Sequence, residues 1–508
     1  MIKCSIVKVY NLTQISVRGN YQRKGRKMKK NLLLKLTTLG LAVVMSVGMT
    51  ACGKSGEEET AAEDNKPESI SMTFDSCMTF DNGMQDVLDK YKEMTGIELT
   101  LDKPDHDKYY EKVTIDFATG KPSDVIEMGA AYYPQNAADK NLWDMTKAWE
   151  SSTAPAKDIV DPAYIETLKI DGKLYGFPTV AGNGTVTYVR QDWLDEANMD
   201  MPEDYKGFLD MLRAFKQRGD GVIPLTAAGV LNSDAPYDIF MREFYQDAKP
   251  DFYKTADGTW VDGFSEDKMK VAMQRFRDAY AEGLIDPEVI TNDTKSCREK
   301  FKNNLVGAFN YWAGSWGPKL EDSAPGCKLA AMPAIAEVKA TGGYTGRSPL
   351  AMVINAKCEN PEGVFEHLVL FSHDGGEGQK LFTYGVEGVH YTTNADGSIT
   401  AMPQASDPTK NVEKTFYAPE YSITKWADPM TLDVRVSDSL NVFRQAYSIA
   451  PVPPASKVLS ENQLKIDELK KKAMADVLHG NKTPDEAMQK YVTDSQPYVE
   501  AVLADLSK

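Results

Sequence analysis

Residues 168–190 read LKIDGKLYGFPTVAGNGTVTYVR, and the fold turns on them. Asp171-Gly172 lies between Leu168-Lys-Ile170 and Leu174-Tyr-Gly-Phe177. That pattern predicts a hairpin with a two-residue turn, whose two positions need positive φ. Pro178 then leads through Gly182-Asn183-Gly184 into Thr185–Val189, which predicts another strand. Glycines at 176, 182 and 184 permit a chain crossing whose torsions change, as a hinge between two bodies requires. An ordinary glycine-rich loop is the alternative. Arg190, Asp192 and Trp193 follow at a strand–helix junction, with Asp192 expected as a helix N-cap rather than as a ligand contact.

Working outward, Ser69–Phe74, Ile97–Leu101 and Asp124–Met128 are expected strands. Helices are expected at Met84–Met94, where Val87, Leu88, Tyr91 and Met94 share one face, and at Tyr109–Phe117, with Gly96 and Gly120-Lys-Pro122 as their stops. Further helices are predicted over Tyr205–Lys216, Glu266–Glu282, Phe301–Leu305, Pro361–Phe371, Ser460–Leu478 and Thr483–Ala504. Strands are predicted over Val306–Tyr311 and Leu350–Asn355. Thr483, Pro484 and Glu486 form a strong helix start. The alternation predicts an α/β fold with largely parallel sheets, and about 440 ordered residues exceed what one core usually supports.

The first 51 residues hold ten Lys or Arg and no Asp or Glu. Lys29-Lys30, an apolar run from Leu36 to Met49, and Thr50-Ala51-Cys52 have the layout of a secretory signal, with Met28 the expected start. The run is shorter than the roughly 20 residues of a permanent span. A small residue before Cys52 matches the bacterial lipobox, although Met49 stands where Leu is usual. Residues 1–51 are thus expected to be a signal peptide and 52–67 a flexible tether lipidated at Cys52; a plain secretory signal is the alternative. Beyond the leader, 48 basic side chains face 74 acidic ones, which disfavours nucleic acid. Cys77, Cys297, Cys327 and Cys358 show no CxxC spacing, and a disulfide such as Cys297–Cys327 is permitted but not deducible.

Several further segments carry a family resemblance. They are Asp171–Pro178, Tyr188–Leu194, Tyr280–Pro287, Asn360-Pro361-Glu362 and Tyr384–Tyr391, together with Cys52. In this order and spacing, over roughly 68–400, the chain resembles the extracellular solute-binding proteins, family 1-like, and within them the long Firmicute lipoproteins of sugar import. The last hundred residues match only as helices. The resemblance implies a two-lobed, periplasmic-binding-protein-like (type II) α/β fold with crossings near 179–184, 334–343 and 383–391. The implied lobes are 68–180 plus 343–385 and 181–342 plus 386–508. It also implies a monomeric substrate-binding lipoprotein of an ABC transporter, without catalysis, on the outer face of the cytoplasmic membrane of a Gram-positive-type bacterium. Its partners would be a carbohydrate, expected to be an oligosaccharide, and the permease subunits, with the membrane touched through the lipid anchor only. A binder of peptide or another solute is the alternative, and a secreted glycoside hydrolase with two carboxylates about 5–10 Å apart is a third.

A sugar presents hydroxyls on its rim and C–H bonds on its faces, so its site needs aromatic platforms and planar polar side chains. Asn310-Tyr-Trp-Ala-Gly-Ser-Trp316 clusters three aromatics after an apolar strand. Trp312 also matches the sugar-stacking Trp of maltose-type binding proteins, and core filling is the alternative for it and for Trp316. Tyr132 and Tyr133 follow a strand's carboxyl end, where ligands of open α/β sheets sit; one is expected in the cleft and the other in a core or cap role. The loop Asp75–Gly83 offers Asp75, Asp81 and Asn82, with Asp81 alternatively a helix N-cap. Arg347 is expected to donate a fork of hydrogen bonds or to form a salt bridge. Glu387 and His390 would serve contact or hinge packing, and Asn183 and Asp234 complete the candidates. No G-x-S-x-G, H-E-x-x-H or Walker loop is present. Arg218–Pro224, where longer relatives carry a calcium loop, has too few carboxylates for a cage. No metal and no cofactor is expected.

Overall fold

Asp171 and Gly172 take φ of 49° and 76°, and Lys169–Ile170 pairs antiparallel with Lys173–Leu174 across them. The computed structural model describes residues 65–130, 132–231, 241–402, 416–449 and 452–508. The expected signal segment, Cys52 with most of its tether, and Asp234 lie outside the described residues.

Two sheets organise the chain. The first has the strand order Glu98–Asp102, Ser69–Thr73, Val125–Met128, Ala351–Ile354, Gly176–Pro178. The second runs Leu329–Ala331, Thr185–Arg190, Val306–Trp312, Ile223–Ala227. Neither is largely parallel as expected: the first has two parallel and two antiparallel pairings, and the second one parallel and two antiparallel. Ala351–Ile354 is antiparallel to both of its neighbours, as Thr185–Arg190 is to its own. The cause is connectivity: each of these two strands enters its sheet from the other lobe and runs away from it, whereas their neighbours run toward it.

Each sheet has its own buried core. Ile70, Val125, Phe177, Val353 and Phe382 belong to the first, and Val186, Phe208, Phe276, Phe309 and Met474 to the second. Among the described residues the chain passes between these cores at 181–186, 344–351 and 423–436. The second passage lies later than the expected 334–343. Tyr344–Gly346 is held in the second lobe by parallel pairing with Tyr447–Ile449 and by the Tyr344 hydroxyl, which donates to the Met332 carbonyl at 2.9 Å. Residues 383–391 are no passage, because Leu381 and Phe382 before them and Phe416 and Tyr417 after them all lie in the first core. Phe416, Tyr417 and Ile423 also lie in the first core, not in the lobe expected to hold all of 386–508.

Local signals otherwise set the elements. Helix Met84–Thr95 stops at Gly96 in the left-handed conformation, its N–H bonded to the Lys92 carbonyl. Helix Pro484–Leu506 opens with a capping box between Thr483 and Glu486. The helix expected at 301–305 is instead Thr294–Lys302, because Asp293 and Ser296 form a capping box earlier in the chain. Asp192 is not an N-cap; it grips Arg190 through both carboxylate oxygens, at 2.8 and 2.5 Å, while the guanidinium lies over Trp193.

At the lobe junction two passages run side by side. The Arg347 N–H donates to the Asn183 carbonyl at 2.9 Å, and Gly184 pairs antiparallel with Gly346. A Cβ on Gly182 would sit 1.7 Å from the Arg347 carbonyl oxygen, and one on Gly184 2.3 Å from that of Thr345. These glycines therefore serve close backbone approach. Their φ values are not positive, so conformational freedom is not what selects them. Gly182→Ala is expected to cost about 1–3 kcal/mol in urea unfolding, the usual range for overpacking; an unchanged midpoint would contradict this packing.

Candidate functional site

The strands of the first sheet that run toward the second lobe end at Thr73, Asp102, Met128 and Pro178, and Val306–Trp312 runs toward the junction from the second sheet. Trp312, half-buried, projects from that end, and the Arg347 guanidinium lies 3.9 Å from the centre of its ring. This cation–π contact is close enough to fix both groups. Arg347 reaches it from the second passage, whose backbone is bound to Asn183. The Asn183 amide in turn donates to the Tyr421 hydroxyl at 3.3 Å, and that hydroxyl donates to the Ala313 carbonyl at 2.7 Å. Trp312, Arg347 and Asn183 are thus brought together, with Tyr421 as a member that sequence reasoning missed. Its only signal is a distant glycine: a Cβ on Gly314 would meet the Tyr421 hydroxyl at 2.5 Å.

On the first sheet, Tyr132 is 39% exposed and stacks on Tyr110, with ring centres 3.6 Å apart and planes 7° from parallel. The Tyr110 hydroxyl accepts from the Gly129 N–H at 2.7 Å, tying the pair to the end of Val125–Met128. Tyr110 was also missed, although Tyr109-Tyr110 opens the expected helix. Tyr133 is a core residue: it is fully buried, donates to the Leu168 carbonyl at 2.6 Å and accepts from the Tyr175 N–H.

The other candidates do not join either group. Trp316 packs edge-on to Tyr311, with centres 5.1 Å apart, under the Arg298 guanidinium. Tyr311 leaves its strand on the face opposite to Trp312, so Trp316 faces away from Arg347. His390 is buried and braces two loops, with Nδ1 accepting from the Val386 N–H at 2.9 Å and Nε2 2.8 Å from the Asn82 carbonyl, to which it donates. Asn82 thereby supports packing through its backbone. Asp81 is exposed, and Gly83, not Asp81, holds the N-cap position of the helix. Glu387 is exposed and accepts from the Thr393 N–H at 3.3 Å.

Two carboxyl groups that sequence reasoning missed lie buried near these ends. Glu127 accepts from the Asp75 N–H at 3.3 Å, and burial pushes its carboxyl up to about 8. Glu243, fully buried, accepts from the Thr187 hydroxyl at 2.9 Å, and burial raises it as well. Asn310 donates to the same Thr187 oxygen at 3.0 Å, two residues before Trp312 on the same strand face.

A family model described as bacterial extracellular solute-binding protein matches residues 79–370, more than half of the chain. Lipoprotein LipO of Bacillus subtilis (strain 168) is 25% identical over 300 residues, which cover 55% of this chain and 56% of that protein. The fructooligosaccharide ABC transporter substrate-binding protein FusA of Streptococcus pneumoniae is 23% identical over 324 residues, covering 53% of this chain and 57% of that one. The chain thus spans about half the length of the curated relatives it matches. Among solved structures, the N-glycan transport solute binding protein NgtS of Streptococcus pneumoniae shares the fold, with a TM-score of 0.62 at 17% identity over 87% of this chain and 98% of that one.

Glu127 gives the site a measurable pH signature. The folded chain keeps a proton on this carboxyl up to about 8, whereas its ordinary value is 4.5, so its contribution to stability is lost as pH rises between those values. Glu127→Gln is expected to flatten the fall in unfolding free energy between pH 5 and pH 8 relative to the parent chain. Parallel pH profiles for the two proteins would contradict a buried, protonated Glu127.

Proposed function

This chain belongs to the bacterial extracellular solute-binding proteins, and from that premise we propose that it captures a carbohydrate, an oligosaccharide, between its lobes for an ABC importer. The observation that carries the reading is the Trp312–Arg347–Asn183 cluster at the lobe junction. An indole offers the C–H face of a sugar ring a flat apolar surface. The guanidinium and amide beside it supply planar donors of the kind that sugar hydroxyls accept. Trp312 and Arg347 already touch, so a ligand seated on this pair gains contacts from the first lobe only when the lobes come together. Differential affinity of that kind drives closure. The stacked Tyr110–Tyr132 pair is a second aromatic surface on the first sheet.

The relatives' names support the carbohydrate reading, since FusA is described as a fructooligosaccharide binder. In this proposal the protein returns its ligand unaltered, its partners are the permease subunits of the importer, and it acts as a monomer. A diacylglyceryl group on Cys52 holds it at the outer face of the cytoplasmic membrane, two acyl chains being what stable attachment needs. Among the described residues no helix is long and apolar enough to cross a membrane.

Isothermal titration of the purified chain against mono- and oligosaccharides tests the proposal. A saturable heat with at least one oligosaccharide is expected, and Trp312→Ala is expected to weaken it by about 1–3 kcal/mol. Unchanged affinity in the folded variant removes Trp312 from the site, and release of shortened sugars would show a hydrolase instead. Cells grown with a radiolabelled fatty acid should label the parent chain but not Cys52→Ser; equal labelling would refute the anchor.

A further inference from the structure

We propose that Asp75, Cys77 and His106 form a binding site for a borderline-soft divalent cation of the zinc type, at the end of the first sheet. The proposal goes beyond the carbohydrate reading and does not rest on it. Nothing in the sequence suggests it, since His106 lies 29 residues after Cys77, outside any metal-ligand spacing. The fold closes that distance. Ser69–Thr73 and Glu98–Asp102 are neighbouring parallel strands with Thr73 opposite Asp102, so the turns that follow them leave the sheet side by side. Two backbone bonds carry the ladder into those turns, from the Phe74 N–H to the Asp102 carbonyl (3.0 Å) and from the Ser76 N–H to the Pro104 carbonyl (3.1 Å). Asp75 Oδ1 also accepts from the Cys77 N–H at 2.9 Å. The donors therefore stand on a braced backbone.

Their convergence is specific. Asp75 Oδ2 lies 2.7 Å, and Cys77 Sγ 3.5 Å, from the same ring nitrogen, Nδ1 of His106, and the three atoms lie within 4.8 Å of one another. A nucleophile–base–acid relay engages both ring nitrogens of its histidine, one for each partner. Here both partners meet one nitrogen, which carries at most one hydrogen, so the arrangement suits a shared cation and not proton relay. Tetrahedral zinc, with bonds of about 2.0–2.3 Å, sets its donors roughly 3.3–3.8 Å apart. The sulfur already stands at that spacing, and the carboxylate needs to withdraw by about 1 Å or less. Thiolate and imidazole donors select zinc-type cations over calcium or magnesium. On binding, the Cys77 thiol releases its proton to solvent and the thiolate bonds the cation. His106, with 70% of its side chain exposed, gives access from outside, and three protein donors leave a fourth position for water or another oxygen ligand. Among the described residues no other group of three His, Cys, Asp or Glu side chains converges in this way.

Cobalt(II), which takes zinc sites and reports a thiolate ligand by a near-ultraviolet charge-transfer band, tests the site in the metal-free full chain. One equivalent is expected to raise the band, and added zinc to remove it. Cys77→Ser is expected to lose it, and His106→Ala to weaken cobalt binding by at least the ~10–100-fold that supporting partners of metal ligands are worth. Circular dichroism of both variants confirms folding, and His106→Ala, altering an exposed ring, keeps the test decisive if Cys77→Ser unfolds. No band in the parent chain, a band undiminished in Cys77→Ser, or cobalt affinity unchanged in His106→Ala overturns the proposal.

Discussion

Two stretches of backbone touch where the lobes meet, and the rest of the architecture depends on that contact. The Arg347 N–H donates to the Asn183 carbonyl, Gly184 faces Gly346, and any side chain at 182 or 184 would drive the strands apart. A backbone bond of this kind contributes about 0.5–1.5 kcal/mol by itself. Its larger effect is positional. It delivers Arg347 to the Trp312 ring and Asn183 to the Tyr421 hydroxyl, so residues from separate parts of the chain meet at one place.

The same contact accounts for strand direction. A strand entering a sheet from the junction must run away from it, which makes Ala351–Ile354 and Thr185–Arg190 antiparallel to their neighbours. The remaining strands run toward the junction and end there, and side chains beyond those ends face the opposite lobe. Polar groups just behind, Glu127 and Glu243, are buried deeply enough for their carboxyl groups to be raised.

Much of this was legible in the sequence wherever short-range chemistry decides. The Asp171-Gly172 turn, the glycine stops at Gly96 and Gly120 and the Thr483–Glu486 capping box each depend on residues within a few positions. The passages after the first were not legible. What holds Tyr344–Gly346 in the second lobe is pairing with Tyr447–Ile449, a partner far along the chain that no local pattern announces. Likewise, adjacent tyrosines cannot be sorted by composition, and only the fold shows Tyr133 bonded inside and Tyr132 stacked outside on Tyr110. For a related reason the sequence could not show that Trp316 packs on Tyr311 and that His390 bonds to the Asn82 carbonyl. The glycines at 182 and 184 were recognised as marking the junction, but the physical ground is room for a second backbone and not torsional freedom.

In the proposed function two lobes pivot about these paired passages and close on a sugar. Small-angle X-ray scattering of the chain, recorded without ligand and then with an oligosaccharide at saturating concentration, tests it most directly. A smaller radius of gyration and a shorter maximum dimension are expected when the sugar is bound. Superimposable profiles at proven saturation would contradict it.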